Sequence, residues 1–271
     1  MSRIERIFEE RQAEGRKLLV SFFTAGDPHP EATVPLMHAV VQAGVDILEL
    51  GVPFSDPMAE GPVIQAACER ALRHQVSLER VLEMVREFRT TDDETPVVLM
   101  GYANPVEIMG YQRFAAAAAA AGVDGVITVD LPPEEGVELN DALIQHDMDP
   151  ILLVAPTTRT ERLKKISSAA RGFIYYVSLR GVTGAASLNV DEVAEKIAEM
   201  RKITELPIGV GFGISDAKSA AAVASVADAV VVGSALVRLV EQHQHDAQAM
   251  QQAVAGLVAE LRHAMDAPAN V

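Results

Sequence analysis

The sequence contains no tryptophan, a single cysteine, and aromatic side chains at only 4% of its 271 positions. Each shortage excludes something. A lone Cys68 cannot form an internal disulfide, which removes the stapled secreted scaffolds and fits a reducing cytoplasm. On a predicted helix it reads as a small buried apolar residue. So few aromatics in a chain that is 49% hydrophobic leave a core of Val, Ile, Leu and Ala, the composition of parallel strands covered by helices. Basic residues are scarce too: 23 Lys and Arg against 38 Asp and Glu give a formal net charge of -15. The resulting field repels nucleic acid and anionic membrane surfaces. No apolar run approaches the ~18 residues of a membrane span without a charge or a Gly-Pro break. Met1-Ser2-Arg3-Ile4-Glu5-Arg6 lacks the basic-then-apolar order of a signal peptide. A soluble, cytoplasmic protein is expected.

What is present is an alternation. Ile4, Ile7 and Phe8 at helical spacing predict an amphipathic helix over residues 3–14, which should plug or pack on the bottom of whatever follows. Continuous Val/Ile/Leu runs then predict strands at residues 18–23, 45–50, 97–101, 126–129, 151–154, 173–178, 208–211 and 229–232, each followed by a helical pattern. Runs of this kind, rather than alternating ones, mark strands buried on both faces. The Ala115–Ala121 stretch reads as a tightly packed helix stopped by Gly122. Ala43-Gly44-Val45-Asp46, Ala121-Gly122-Val123-Asp124 and Val226-Ala227-Asp228-Ala229 echo one another at helix-to-strand junctions, a repeat of architecture rather than of solenoid units. Eight strand–helix units without a break predict one (βα)8 TIM barrel with an extra N-terminal helix, spanning residues 1–271 as a single domain. A doubly wound sheet is the competing topology.

A barrel fixes the geography of function, because its chemistry lies at the C-terminal ends of the strands. The polar and aromatic candidates there are Phe22, Glu49, Glu60, Tyr102, Asp130, Tyr175 and Thr183, with glycines at 184, 211, 213 and 233. Glu49 ends the second strand, and Glu60 closes the Pro- and Gly-rich loop after it. Paired carboxylates are the raw material of general acid and base catalysis, although a strand-end Glu and a helix-N-terminal Glu also have purely structural uses. Gly211-Phe212-Gly213 and Gly233-Ser234 follow the seventh and eighth strands, where backbone N–H groups form phosphate cradles in many barrels. The glycines from 209 to 213 fall at every second position and Ile214 follows, which is not a dinucleotide fingerprint. No metal-ligand spacing, nucleophile elbow or strand-end lysine is apparent, so the pattern points to carboxylate catalysis on a phosphorylated substrate beside an apolar mouth.

The motifs Phe22-Phe23-Thr24-Ala25-Gly26-Asp27-Pro28, Glu49-Leu50-Gly51-Val52-Pro53-Phe54-Ser55-Asp56-Pro57, Tyr102-Ala103-Asn104-Pro105, Asp130-Leu131-Pro132 and Gly211-Phe212-Gly213-Ile214-Ser215 occur in an order that resembles the tryptophan synthase α-subunit family over nearly the whole chain. The resemblance implies retro-aldol cleavage of indole-3-glycerol phosphate to indole and glyceraldehyde 3-phosphate, with no cofactor in this chain. It implies that Glu49 is the general acid/base, that Glu60 holds the indole N–H, and that Tyr175 positions groups near Glu49. It further implies that Phe22, Tyr102 and Phe212 pack the indole, and that Gly184, Gly213, Gly233 and Ser234 surround the phosphate. Thr183 would sit on a loop that closes over the site. The implied partner is a pyridoxal-phosphate β subunit that receives indole in an αββα assembly, contacted through Pro53, Asp56, Asn104 and Pro132. One departure stands out: the family pattern implies Asp at position 60, where this chain has Glu. The extra methylene shifts the carboxylate by about one bond length, and catalytic geometry tolerates such shifts poorly, so the loop is expected to be reset around Glu60. Two other readings stay open: another phosphate-binding barrel such as an isomerase, and a regulatory subunit with little catalysis of its own.

Overall fold

A computed structural model describes residues 1–177, 189–211 and 213–267. Helix α1 (Arg3–Ala13) is followed by β1 (Leu18–Thr24), α2 (Pro30–Gln42), β2 (Ile47–Gly51), α3 (Pro62–Arg73), α4 (Leu78–Phe88) and β3 (Val97–Gly101). Next come α5 (Ala103–Met109), α6 (Tyr111–Ala121), β4 (Gly125–Thr128), α7 (Val137–Gln145), β5 (Asp149–Pro150) and β6 (Leu152–Val154). The chain continues through α8 (Thr160–Ala169), β7 (Ile174–Val177), α9 (Val190–Met200), β8 (Ile208–Gly211), α10 (Ala217–Ala224), β9 (Ala229–Val232), α11 (Ser234–Gln242) and α12 (Ala247–Asp266).

All strand pairs are parallel, in the order β5-β4-β3-β2-β1-β9-β8-β7-β6. The two ends of that order, β5 and β6, are pieces of one run separated by Ile151 alone. Asp149 and Pro150 pair with β4, Leu152 to Val154 pair with β7, and the Ile151 N–H donates to the Val126 carbonyl at 3.0 Å. The fifth stave therefore touches both neighbours and brings the sheet round into a nearly closed barrel. A cyclic strand order whose two ends meet in one stave rules out the doubly wound alternative.

The pleat sorts the strand side chains into two cores. Leu18, Val20, Ile47, Val98, Ile127, Ile151, Phe173, Ala229 and Val231 fill the barrel, and α1 closes its base with Ile4 and Phe8. The Phe8 and Phe173 rings lie 5.7 Å apart, so the predicted plug is real. Ser2 starts it with a capping box: its hydroxyl accepts from the Glu5 N–H, and the Glu5 carboxylate accepts from the Ser2 N–H. Leu19, Leu48, Leu50, Leu99 and Val230 face outward against the helices.

The junction echo also acquires a physical meaning. Each of its aspartates sits just before a strand and accepts a backbone N–H at the start of the preceding one: Asp46 from Leu19, the second residue of β1 (2.8 Å), Asp124 from Val97, the first of β3 (2.8 Å), and Asp228 from Ile208, the first of β8 (2.8 Å). Arginines meet the same carboxylates, Arg11 and Arg262 on Asp46, Arg3 and Arg89 on Asp124, and Arg201 on Asp228. These clamps bind the barrel at its bottom, away from the strand ends that carry chemistry.

Two helices escaped the sequence reading. α5 occupies residues expected to be turn, because Asn104-Pro105 signals a turn locally, yet Pro105 falls in the first turn of the helix, where its missing N–H costs nothing. α11 follows Gly233 directly, and no linker of any length separates it from β9. The Ala-rich α6 ends as expected, with Gly122 in the left-handed region at φ 90°. Among the described residues, no helix is long and apolar enough to cross a membrane.

Candidate active site

Parallel pairing sets Phe22 of β1 level with Glu49 of β2, and Glu49 level with Val98 of β3. All three share the interior face of the sheet by parity with Val20 and Ile47. Phe22 fits there because its neighbours lack side chains. A Cβ at Gly51 would meet its ring at 2.8 Å, and one at Gly233 would come within 3.2 Å. Gly51 thus makes room for Phe22 in the candidate site, a role the sequence reading passed over. A glycine at the last position of an apolar strand was the available signal.

Glu49 is 1% exposed, and neither of its carboxylate oxygens has a hydrogen-bond partner. A carboxylate deprived of water and of donors is held in its neutral form. Burial first, then the nearby charge of Glu60, pushes the Glu49 pKa up to about 8.

Glu60 ends the loop between β2 and α3 and is half-buried. The loop is tied down on both sides of it. The Glu60 N–H donates to the Pro57 carbonyl at 3.0 Å, the Gln65 side-chain amide donates to the Glu60 carbonyl at 2.8 Å, and the Ala59 N–H donates to the Tyr102 hydroxyl at 2.9 Å. The Tyr102 ring stacks on Phe54, with centroids 5.0 Å apart. Tyr102 is therefore part of the wall and also an anchor for the loop carrying Glu60. Burial lifts the Glu60 pKa to about 7 and, as the first cause, that of Tyr102 to about 12. Two electrostatically coupled carboxyls are thus both raised from the ordinary Glu range toward neutrality.

Tyr175 of β7 is buried. Its pKa is pushed well above 10 by burial and then by Glu49 and Glu60, so its hydroxyl stays neutral in the field of both acids. Gly211 of β8 makes room for that hydroxyl, which a Cβ would overlap. Gly213 has φ 78°, a left-handed conformation that favours glycine. Gly233 is the N-cap of α11 and Ser234 its first residue, and no side chain caps this terminus. Its leading N–H groups are left with the partial positive charge of a helix start. Thr183, Gly184 and Phe212 lie outside the described residues.

Asp130 belongs elsewhere. It is exposed, and its carboxylate accepts the Ala103 N–H at 2.8 Å, so its work is to start α5. Among the described residues, no group of three or more His, Cys, Asp or Glu could hold a metal ion.

The sequence model of the family described as tryptophan synthase alpha chain matches residues 8–266. The chain belongs to that family. It is 65% identical to the tryptophan synthase alpha chain of Thioalkalivibrio sulfidiphilus over 98% of this chain and 100% of the relative. It is 57% identical to that of Marinobacter nauticus over the full length of both. Among solved structures, the tryptophan synthase alpha subunit of Legionella pneumophila superposes with a TM-score of 0.92 at 47% identity, covering 98% of this chain and 99% of that one.

In this tryptophan synthase alpha-chain fold, the residues that the sequence resemblance offered as partner contacts all lie at the barrel mouth. Asp56 and Asn104 are exposed, Pro132 is half-buried, and Pro53 is buried within its own loop. Near them, Met58 of the β2–α3 loop and Ile108 of α5 are 86% and 80% exposed.

Proposed function

We propose that this chain cleaves indole-3-glycerol phosphate to indole and glyceraldehyde 3-phosphate, and that Glu49 and Glu60 divide the proton chemistry. The observation that carries the assignment is the buried Glu49 carboxyl with no hydrogen-bond partner and a pKa near 8. At neutral pH it holds a proton available for donation. Glu49 gives that proton to the indole ring carbon bearing the side chain, and the Glu60 carboxylate accepts a hydrogen bond from the ring N–H as positive charge develops there. The Glu49 carboxylate so formed takes the proton of the neighbouring glycerol hydroxyl. The carbon–carbon bond then breaks, its electron pair returns to the ring to give indole, and the hydroxyl carbon becomes the aldehyde. Glu49 ends protonated, and no cofactor takes part in the balance.

Phe22 and Tyr102, joined by Phe212, pack the indole. The N-terminus of α11 with Gly233 and Ser234, together with Gly184, Gly211 and Gly213, receives the phosphate through backbone donors, whose short-range field is effective despite the net negative charge. Tyr175 orients groups around Glu49, and closure of the segment bearing Thr183 excludes water. The exposed Met58 and Ile108 support a docking face at the mouth for a pyridoxal-phosphate β subunit, which takes up the indole in an αββα assembly through the surface around Asp56, Asn104, Pro132 and Pro53. We place the reaction in the cytoplasm and the whole chain in one barrel domain.

Indole release from indole-3-glycerol phosphate tests the reading, with and without a β subunit. Wild type is expected to release indole, faster when the β subunit is added. Glu49→Gln and Glu60→Ala should lose at least ~10²-fold in turnover. Glu60→Asp, in a loop tied around Glu60, is expected to fall below wild type. Wild-type turnover by Glu60→Ala would remove Glu60 from the mechanism, and no indole from wild type would remove the reaction itself.

A further inference from the structure

Arg70 lies near the end of α3 and is buried. Its guanidinium forms a fork on Asp27, Nε to Oδ1 at 2.6 Å and Nη2 to Oδ2 at 2.8 Å. Its remaining nitrogen, Nη1, donates to Glu241 Oε1 at 2.9 Å. Asp27 is 2% exposed and stands in the β1–α2 loop, its N–H donating to the Thr24 carbonyl at the end of β1 (3.2 Å). Glu241 belongs to α11. One side chain therefore ties together three segments that carry the site: the end of β1 beyond Phe22, the helix that begins after Glu60, and the helix that begins at Gly233-Ser234.

We propose that Arg70 is a positioning residue that sets the start of α3, and with it Glu60, relative to the start of α11. Helices are stiff rods with ~1.5 Å of rise per residue, so Arg70 is about 12 Å along α3 from Pro62 and Glu241 about 10 Å along α11 from Ser234. A tie at these two distal points fixes the angle between the rods, and hence the separation of the carboxylate from the phosphate donors at the far ends. A buried ion pair contributes little net stability compared with apolar side chains of similar volume, whereas a bidentate fork fixes orientation. Placement, not stability, is what this geometry supplies best.

The inference rests on the proposed reaction. It is tested by measuring turnover of indole-3-glycerol phosphate and its competitive inhibition by glycerol 3-phosphate, a probe of the phosphate end alone. Arg70→Met by itself would strand the Asp27 carboxylate, so the informative variant is the pair Asp27→Leu/Arg70→Met, which exchanges the fork for apolar packing. It should unfold cooperatively yet lose about 10²-fold in kcat, the scale of a displacement near 1 Å. Glu241→Met, at a half-exposed position, removes the acceptor of the Arg70 Nη1–H and so cuts only the α11 tie. It should weaken glycerol 3-phosphate at least ~5-fold while kcat stays within about twofold, a split that general destabilisation would not produce. Wild-type inhibition by glycerol 3-phosphate in Glu241→Met, or wild-type kcat in a folded paired variant, overturns the proposal. Should the paired variant fail to fold, Glu241→Met still decides. Failure of the reaction reading shows separately, as absence of indole release by wild type.

Discussion

The Tyr175 hydroxyl occupies the space that a side chain at Gly211 would need. The two belong to neighbouring strands of the barrel wall, and Tyr175 also lies in the field of both carboxyls. Gly211→Ala should therefore displace a buried aromatic ring, with overpacking costing about 1–3 kcal/mol, and should disturb the groups around Glu49 as well. Denaturant unfolding and indole release would both register it. Because the two residues collide directly, adding Tyr175→Ala to Gly211→Ala should cost less than the sum of the single changes.

Glu49 illustrates stability given up for chemistry. Its folded pKa of about 8 lies above the ~4.3 of an unfolded Glu, so the folded state binds the proton more tightly. The associated stability is fully present below ~4.3 and is lost as pH rises toward 8. Glu49→Gln abolishes the titration, and should be more stable than wild type by an amount on the order of 3 kcal/mol at pH 7. Near pH 4 the gap should close. Thermal unfolding across pH 4–9 would measure the crossing, and a variant of unchanged stability at pH 7 would contradict a buried, unsolvated carboxyl.

Much of this was legible in the sequence because the signals are local. The Val and Ile runs of the strands and the plug-forming Ile4 and Phe8 needed only periodicity, and Glu49 declared itself as a charge at the end of an apolar strand. What was missed depends on contacts between distant segments. Asp130 looked like a site carboxylate, and only the fold shows it accepting the Ala103 N–H. Tyr102 read as an aromatic lining residue, while its hydroxyl anchors Ala59 of the Glu60 loop. Arg70 gave no signal, since its partners at 27 and 241 are brought together by barrel closure.

Asp124 separates the bottom of the barrel from its mouth. It is 5% exposed and accepts from Arg89 (2.7 Å), Arg3 (2.9 Å) and the Val97 N–H (2.8 Å). Asp124→Ala leaves two guanidinium groups and a strand N–H short of a partner, a loss of about 3–5 kcal/mol for a broken buried pair. The proposed catalytic groups lie at the opposite ends of the strands. The variant should show a lowered unfolding midpoint with kcat nearly unchanged when assayed well below that midpoint. A kcat that fell with the midpoint would mean that the bottom clamps also shape the mouth.

The two site acids predict the pH dependence of the reaction. In the proposed mechanism Glu60 must be ionised to accept the indole N–H, and its pKa is about 7. Glu49 must be protonated to donate, and its pKa is about 8. The profile of kcat/KM should be a narrow bell, rising as Glu60 loses its proton and falling as Glu49 loses its own, with the two apparent values belonging to the coupled pair. Glu60→Gln separates the limbs. It removes the rising limb, and by deleting the negative charge that helps hold the proton on Glu49 it lowers the Glu49 pKa, so the falling limb moves to lower pH while the maximum drops. A falling limb that stayed in place would mean that burial alone keeps Glu49 protonated and that the charge on Glu60 does not reach it.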